Sequence, residues 1–287
     1  MAKVLVAGAS GALGRRIIET AERRGFRVRA LGRRHGALQG LGASETALAD
    51  PVSGRGLEEA LVGVDVLVSA LGASVSPEFG KGYRSFRAVD TPANLQLLRA
   101  AERARVPRFV YVSLACEHEL SELAYVRAHE DVVRALQASQ LDYAVLRPTG
   151  FFSAFGALVG MAARGAVPLI GNPEAKTNPI AEDDIAEQCV ELLQRDSLGR
   201  TSLELGGPDV FTRREIMELA FRVQRREPKL RRLPDGLVKT LALLMRPFNP
   251  RVSDLLRFVL GVSSRDCVAP PIGVRRLADY FEVLAKS

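Results

Sequence analysis

Three glycines at regular spacing are the first residues in this chain whose positions suggest a chemical task. Gly8, Gly11 and Gly14 follow directly on the apolar run Val4–Ala7, and apolar residues at helical spacing come after them. Glycines at such a turn let the backbone bend sharply and approach a pyrophosphate, whose charge the first amides and the dipole of the helix attract. The stretch therefore predicts a strand–turn–helix unit that binds dinucleotide phosphates. The alternative is a glycine-rich turn without a ligand.

Two arginines, Arg33 and Arg34, follow the second predicted strand. They stand about twenty residues past the glycine turn, where a dinucleotide-binding fold contacts the adenosine ribose. An acidic residue there would accept hydrogen bonds from the 2′-hydroxyl and repel a 2′-phosphate, whereas planar guanidinium groups suit phosphate. We therefore expect NADP(H) to be preferred over NAD(H). The alternative is that a chain with 40 lysines and arginines places two of them here by chance.

Further candidate residues follow the other predicted strands. Asp50 comes after the third strand, where its carboxylate could accept a hydrogen bond from the adenine amino group. It could equally cap a helix that begins near Val52, because Asp favours N-caps and Pro favours first turns. The fourth, fifth and sixth strands lead into Leu71 and Gly72, Ser113, and the run Pro148–Phe152. All three places belong to the carboxyl edge, at which doubly wound sheets bind ligands.

The elements that must position these residues alternate between strands and helices, which predicts a parallel sheet with right-handed crossovers. Strands are predicted from Lys3 and over 27–31, 44–48, 65–70, 108–112 and 143–146. The fold class is therefore α/β, a Rossmann-type doubly wound parallel sheet with a smaller, mainly helical C-terminal substrate region. We divide the chain into a nucleotide-binding domain over 1–150 and a substrate region over 151–287. Part of that region, about 177–205, is expected to pack back on the first domain.

Composition limits the class of protein. The 287 residues are 47% hydrophobic, enough for a large core, with a formal net charge of +7. The first strand begins at Lys3 and no apolar run reaches spanning length, so we expect no signal peptide and no transmembrane segment. The three cysteines and three histidines are scattered, so we predict no disulfide pairing, no metal and a cytoplasmic location. The basic patch over 222–232 is interpreted as a solvated helix end, and we expect no nucleic-acid partner.

The glycine turn, Asp50, the strand end 109–113, the Tyr125 helix and the run Leu146–Phe152 together resemble the short-chain dehydrogenase/reductase superfamily. More narrowly, they resemble its atypical NmrA-like branch of NAD(P)-binding proteins, to which the segment 177–186 is also similar. The cofactor site that we expect comprises Gly8, Ser10, Gly11, Ala12, Leu13, Gly14, Arg33, Arg34, Asp50, Leu71, Gly72, Ser113, His129, Pro148, Thr149, Gly150 and Phe151.

The resemblance also implies three catalytic residues. Family members carry Tyr-x-x-x-Lys, in which the lysine lowers the tyrosine pKa and holds the nicotinamide ribose. Here the fourth residue after Tyr125 is His129, and no lysine occurs between Lys81 and Lys176. A mostly neutral imidazole lowers the tyrosine pKa less than an ammonium would. The resemblance assigns Tyr125 as general acid, His129 to the ribose or a proton relay, and Ser113 as helper hydroxyl. The alternative is that Tyr125 is only a partly buried aromatic residue, and that His129 is a polar helix residue whose hydrogen bonds are satisfied.

These residues predict an NADP(H)-dependent reductase that acts on a small, largely apolar carbonyl or activated alkene. The alternative is a non-catalytic NADP(H)-binding sensor or scaffold. Phe151, Phe152 and Phe155 are either the wall of an apolar substrate pocket or core residues. Two apolar helices near 237–245 and 252–260 could roof the substrate site, form a dimer contact, or rest peripherally on a membrane surface.

Overall fold

The computed structural model of the chain describes residues 2–72 and 86–286, with the side chains of 86–89 excepted. The beginning of the long helix expected after Gly72 lies outside these residues. The strands are β1 (Lys3–Ala7), β2 (Arg27–Gly32), β3 (Glu45–Leu48), β4 (Val66–Ser69), β5 (Arg108–Val112), β6 (Asp142–Pro148), β7 (Val167–Leu169), β8 (Lys176–Thr177), β9 (Thr201–Leu205), β10 (Phe211–Thr212) and β11 (Leu230–Arg232). The helices are α1 (Ala12–Arg23), α2 (Leu57–Leu61), α3 (Phe86–Arg103), α4 (Ala124–Ala138), α5 (Phe152–Ala163), α6 (Glu182–Leu193), α7 (Arg213–Val223), α8 (Asp235–Met245), α9 (Pro250–Ser264) and α10 (Leu277–Lys286).

Seven of the strands form one parallel sheet in the order β3-β2-β1-β4-β5-β6-β9. The strand order reverses between β1 and β4, which is the place where doubly wound sheets open a crevice for a ligand. The predicted fold class is confirmed, since helices cover both faces of this parallel sheet.

The sheet is buried on both faces because its central strands are continuous apolar runs. Side chains alternate along β1, so that Val4 and Val6 point to one face and Leu5 to the other. On the first face they pack with Ile17 of α1, and on the second with Leu97 of α3. The two cores hold the carboxyl ends of the strands in register along one edge.

The C-terminal third adds to this sheet and also forms a core of its own. Strand β9 joins β6 at the edge of the main sheet, and α6 packs against α1. Helices α5, α7 and α10 surround a separate core that includes Phe152, Phe221 and Phe281. Helices α8 and α9 pack on each other, and α9 also contacts α4. Within the described residues, no helix is both long and apolar enough to cross a membrane.

The chain after Asp50 differs from the helix expected near Val52. A turn closes there, with the amide of Gly54 donating to the carbonyl of Asp50 at 2.8 Å, and α2 begins only at Leu57. Gly54 and Gly56 both have positive φ angles, of 78° and 77°, which a right-handed helix does not allow. The prediction of a helix from Val52 was therefore wrong, because these two glycines delay its start.

The cysteines also differ from the sequence-based expectation. Cys116, in the loop after β5, forms a disulfide with Cys267, beyond α9, with their Cα atoms 5.7 Å apart. The expectation of unpaired cysteines was wrong, because the fold brings together two segments 151 residues apart. Cys189 is buried as a free thiol. Since disulfides persist mainly in oxidising compartments, the cysteines no longer support the predicted cytoplasmic location.

Candidate functional site

The register of the parallel strands brings the predicted site residues to one edge. Ala7 of β1 lies beside Leu31 of β2 and Ser69 of β4. The glycine turn is therefore flanked by Arg33 on one side and by Leu71 on the other. Further along, Ser69 pairs with Tyr111 of β5, and β5 pairs with β6. The residues that follow five adjacent strands thus line one continuous edge of the sheet.

The glycine turn leaves the first amides of α1 open to an anion. The amide of Gly11 donates to the carbonyl of Gly8 at 2.9 Å, and α1 begins at the next residue. Among the described residues, no side chain caps this helix, and its first turn contains no acidic residue. Ser10, Gly11 and Ala12 are exposed. An uncapped, exposed helix N-terminus of this kind is suited to a phosphate group.

The three glycines of the turn have different tasks. A Cβ on Gly8, whose φ is +84°, would lie 2.5 Å from the carbonyl oxygen of Ala70. A Cβ on Gly14 would lie 2.1 Å from the carbonyl oxygen of Gly8. At Gly11 the closest atom would be that same oxygen, at 3.2 Å. Gly8 and Gly14 are therefore required by backbone packing, whereas Gly11 is exposed and a Cβ there would meet only this one oxygen within 4 Å.

The opposite side of the turn is fixed by Asn94 of α3, a residue that the sequence analysis missed. Its side-chain amide donates to the carbonyl of Leu71 at 3.1 Å, and its Oδ1 accepts from the hydroxyl of Ser69 at 2.6 Å. Ser69 and Asn94 are both buried. Their hydrogen bonds anchor the backbone of Leu71 to α3 at the end of β4.

The adenosine end of the predicted site is basic. Arg33 and Arg34 are both exposed directly after β2. Burial raises the pKa of Asp50, but hydrogen bonds from Ser53 and the backbone, with the charges of Arg33 and Arg55, outweigh it and lower the pKa. Asp50 therefore caps a turn and not the helix near Val52 that one alternative required, and its contact with adenine stays a prediction. Arg55 is a further cation near this end that the sequence analysis missed.

The candidate catalytic side chains cluster where α4 crosses β5. The hydroxyl of Tyr111 and Nδ1 of His129 share a hydrogen bond of 2.8 Å. The rings of Tyr125 and His129 meet edge to face with their centroids 4.8 Å apart. Ser113 lies two residues beyond Tyr111 and so belongs to the same face of the sheet. Tyr111 was missed, because a tyrosine inside an apolar strand is indistinguishable from core in sequence.

Neither Tyr125 nor His129 carries a charge near neutral pH. Burial, together with the positive charge of Arg147, lowers the pKa of His129 to about 4. Burial, together with the negative charge of Asp90, raises the pKa of Tyr125 well above its ordinary value. A neutral imidazole therefore stands where the family places a cationic lysine, and it does not lower the pKa of the tyrosine.

Two buried polar atoms in this cluster lack a hydrogen-bond partner. Among the described residues, neither Oγ of Ser113 nor Nε2 of His129 has a hydrogen-bond partner. Both side chains are about 95% buried, at 5% and 4% exposure. A buried polar group without a partner costs about 1–3 kcal/mol, so such groups normally have one. The hydroxyls of a ribose or the amide of a nicotinamide would satisfy both, and these residues therefore fit a dinucleotide.

A buried arginine holds the surroundings of the cluster. Arg147 at the end of β6 contacts Glu130 of α4 at 2.7 Å and Glu117 of the loop after β5 at 3.3 Å. It also donates to the carbonyl of Leu114 at 3.2 Å. These contacts tie α4 and the loop that follows Ser113 to the sheet. Arg147 is thus a positioning residue, and its positive charge adds to the effect of burial in lowering the pKa of His129.

The segment after β6 closes this end of the sheet. The hydroxyl of Thr149 donates to the carbonyl of Asn178 at 2.6 Å, and the amide of Ile180 donates to the carbonyl of Gly150 at 2.9 Å. Phe151 is partly buried against the core that α1 and α6 cover. Phe152 is only 3% exposed in the C-terminal core. Of the two alternatives for Phe152, the structure favours core over pocket wall.

Comparison with known proteins agrees with this geometry. A family described as NAD(P)H-binding matches residues 8–196. The chain is 30% identical over 280 residues to divinyl chlorophyllide a 8-vinyl-reductase of Oryza sativa, covering 89% of this chain and 67% of that protein. It is 25% identical over 270 residues to the photosystem II assembly factor Ycf39 of Synechocystis, covering 89% and 78% of the two chains.

Solved structures share the fold. The NADPH complex of the NADPH-dependent quinone oxidoreductase QOR2 of Escherichia coli superposes with a TM-score of 0.77 at 20% identity, covering 98% of this chain and 99% of that one. The NADP(H) complex of the triphenylmethane reductase of Citrobacter gives a TM-score of 0.79 at 16% identity, with the same coverage. Since the NAD(P)H-binding family spans more than half of the chain, this protein belongs to that family, within the atypical short-chain dehydrogenase/reductase superfamily.

Proposed function

We propose that this protein is an NADP(H)-dependent reductase of the NmrA-like type that acts on a small, largely apolar acceptor. The observation that carries the proposal is the pair of buried atoms without a hydrogen-bond partner, Oγ of Ser113 and Nε2 of His129. Ser113 follows β5, which is two strands from β1 in the sheet, and His129 lies on α4, where it contacts Tyr111 of β5. When bound, the cofactor would supply a hydride from its nicotinamide ring.

Each part of the edge has a role in this proposal. Gly11 and the first amides of α1 bind the pyrophosphate. Arg33 and Arg34 bind the 2′-phosphate of NADP(H), and the backbone at Leu71 borders the adenosine. His129 and Ser113 bind the nicotinamide end, while Tyr125 donates the proton that completes the reduction. The run from Pro148 to Phe151 closes the site beyond β6.

Between the two acceptor classes, the electrostatics favour an activated alkene over a simple carbonyl. Reduction of an isolated carbonyl develops charge on one oxygen, which a strong, nearby acid must neutralise. Tyr125 is a weak acid here, because burial raises its pKa and His129 is uncharged. A conjugated acceptor spreads the incoming charge over its own bonds and depends less on that acid. The names of the relatives, a vinyl reductase, a quinone oxidoreductase and a triphenylmethane reductase, specify conjugated acceptors.

The uncharged state of Tyr125 and His129 favours a second candidate function, a non-catalytic NADP(H)-binding sensor or scaffold. Without a cation beside Tyr125, the chain keeps the glycine turn for cofactor binding but lacks the lysine that lowers the pKa of the family's usual acid. The relative Ycf39 is named as an assembly factor, in agreement with such a role.

A screen of NADPH oxidation distinguishes the two. The purified chain is mixed anaerobically with NADPH and with quinones, enones, vinyl-substituted aromatics and simple aldehydes. We expect turnover with the conjugated acceptors and much slower turnover with the aldehydes. Tight NADPH binding without turnover on any acceptor would contradict the reductase and support the sensor.

A further inference from the structure

Helix α8 exposes a row of large apolar side chains. Leu237, Leu241 and Leu244 are 57%, 47% and 62% exposed, and Phe248, just beyond the helix, is 78% exposed. Their spacing of four, three and four residues puts the three leucines on one side of the helix, with Phe248 continuing the row. We call these four residues the leucine stripe. Exposed apolar groups that are contiguous on a surface mark interaction sites.

A second side of α8 is apolar as well. Val238 and Ala242 are buried, and α8 packs against α9. A surface helix normally turns one apolar side to the core and a polar side to water. In α8 the side that packs on α9 already serves the core, so the leucine stripe needs a different explanation.

The chain around the leucine stripe is strongly basic. Residues 222–251 contain nine lysines and arginines but only two acidic residues, a balance equal to the formal charge of +7 of the whole chain. Eight of the nine are exposed, and within the described residues none of these eight pairs with a carboxylate. They are Arg222, Arg225, Arg226, Lys229, Arg231, Arg232, Lys239 and Arg246.

We propose that α8 docks on the surface of a lipid bilayer that contains anionic lipid. Interfacial helices combine large apolar side chains, which enter the boundary between headgroups and acyl chains, with lysines and arginines that bind anionic headgroups. A second copy of this chain would bring two segments of like charge together, which is unfavourable. A nucleic acid would attract the arginines but would leave the leucine stripe in water. The anionic bilayer is the partner that satisfies both features.

Vesicle flotation tests the proposal with the full-length chain. We expect the protein to float with vesicles of phosphatidylcholine and phosphatidylglycerol, to bind vesicles of phosphatidylcholine alone much more weakly, and to detach as salt is added. Leu241→Ser with Leu244→Ser should lower partitioning by about a hundredfold, because each leucine side chain that enters the bilayer contributes about tenfold. Arg231→Gln with Arg232→Gln should weaken only the binding to vesicles with phosphatidylglycerol.

The controls separate the bilayer from other partners. Val283→Ser on α10 removes an equally exposed apolar side chain, at 65%, and should leave flotation unchanged. Circular dichroism checks that the leucine variants are folded. Failure of the wild-type chain to float with either vesicle would overturn the proposal, as would equal binding to both. The proposal would also be overturned if light scattering showed a dimer that dissociates in the leucine variants. Nucleic-acid binding that is lost only in the arginine variants would overturn it as well.

Discussion

The hydroxyl of Tyr111 lies 2.8 Å from Nδ1 of His129, beneath the helix that carries Tyr125. The imidazole is thereby fixed by a neutral phenol, and its other nitrogen is left open in a buried position. This relationship separates the protein from relatives with a lysine at the same position. Here the proposed nicotinamide end of the site contains a hydrogen bond between neutral groups, not a buried lysine.

Acid should destabilise the protein through His129. Its pKa is about 4 in the folded chain and 6.5 for the unperturbed side chain, so the unfolded chain binds more protons between these values. The contribution of His129 to stability is therefore complete above pH 6.5 and is lost as pH falls toward 4, by as much as about 3 kcal/mol. Chemical denaturation at several pH values across this range should show that the free energy of unfolding falls as the pH falls.

The test of this assignment is a variant that removes the imidazole and with it the slope of stability against pH. His129→Gln should flatten it. An unaltered slope in His129→Gln would mean that His129 is not the group that titrates.

The glycine turn predicts two different outcomes for the same kind of substitution. Gly11→Ala should keep the fold and weaken NADPH binding, because its Cβ enters the space for the phosphates. Gly8→Ala should lower the melting temperature, because its Cβ would meet the carbonyl oxygen of Ala70. Gly236→Ala, where a Cβ would contact nothing within 4 Å, is the matched control. Full NADPH affinity in Gly11→Ala, measured by calorimetry, would exclude the turn as the phosphate site.

Cofactor preference should depend on Arg33 and Arg34. Replacing both with serine removes two charge-assisted partners of a 2′-phosphate and should weaken NADPH binding by about a hundredfold, with NADH little affected. Arg99→Ser changes an exposed arginine on α3 and should alter neither affinity. An equal loss for both cofactors in the double variant would refute the assignment of these arginines.

Much of the fold at this edge could be predicted from the sequence, and the reasons are local. Strand β5 has the bounds that were predicted, and β1 and α1 follow from the apolar run, the glycines and the helical spacing around Gly11. Such patterns depend on neighbours in the chain. The turn after Asp50 was missed because Asp and Pro are also common at the start of a helix. The positive φ angles of Gly54 and Gly56 favour the turn over the helix, and they are known only from the structure.

The contacts that could not be predicted join distant segments. The disulfide between Cys116 and Cys267 spans 151 residues. The hydrogen bond of Asn94 to Leu71 and the ion pairs of Arg147 depend on how helices settle on the sheet. Spacing along one chain carries no information about such pairs. The charge state of His129 was anticipated only in part, because its degree of burial depends on the packing of α4.

Tyr125 should matter more for carbonyls than for conjugated acceptors. Tyr125→Phe keeps the ring that packs on Phe258, at a centroid distance of 4.5 Å, and removes only the proton donor. We expect turnover of an aldehyde to fall by the 10²–10⁴ that is typical of a lost general acid, and turnover of an enone to fall by less than about tenfold. Tyr143→Phe on β6 is the control. Equal losses for the two substrates would contradict the preference for conjugated acceptors.

The most direct test of reductase activity is the transfer of deuterium from NADPH labelled at C4 of its nicotinamide to an enone. Mass spectrometry of the reduced product detects the label at the β-carbon, where it does not exchange with water. We expect label from one face of the nicotinamide to appear with the wild-type chain and to be strongly reduced with Gly11→Ala at the same NADPH concentration. Tight NADPH binding by the wild-type chain, with no label in the products of any conjugated acceptor, would contradict the reductase.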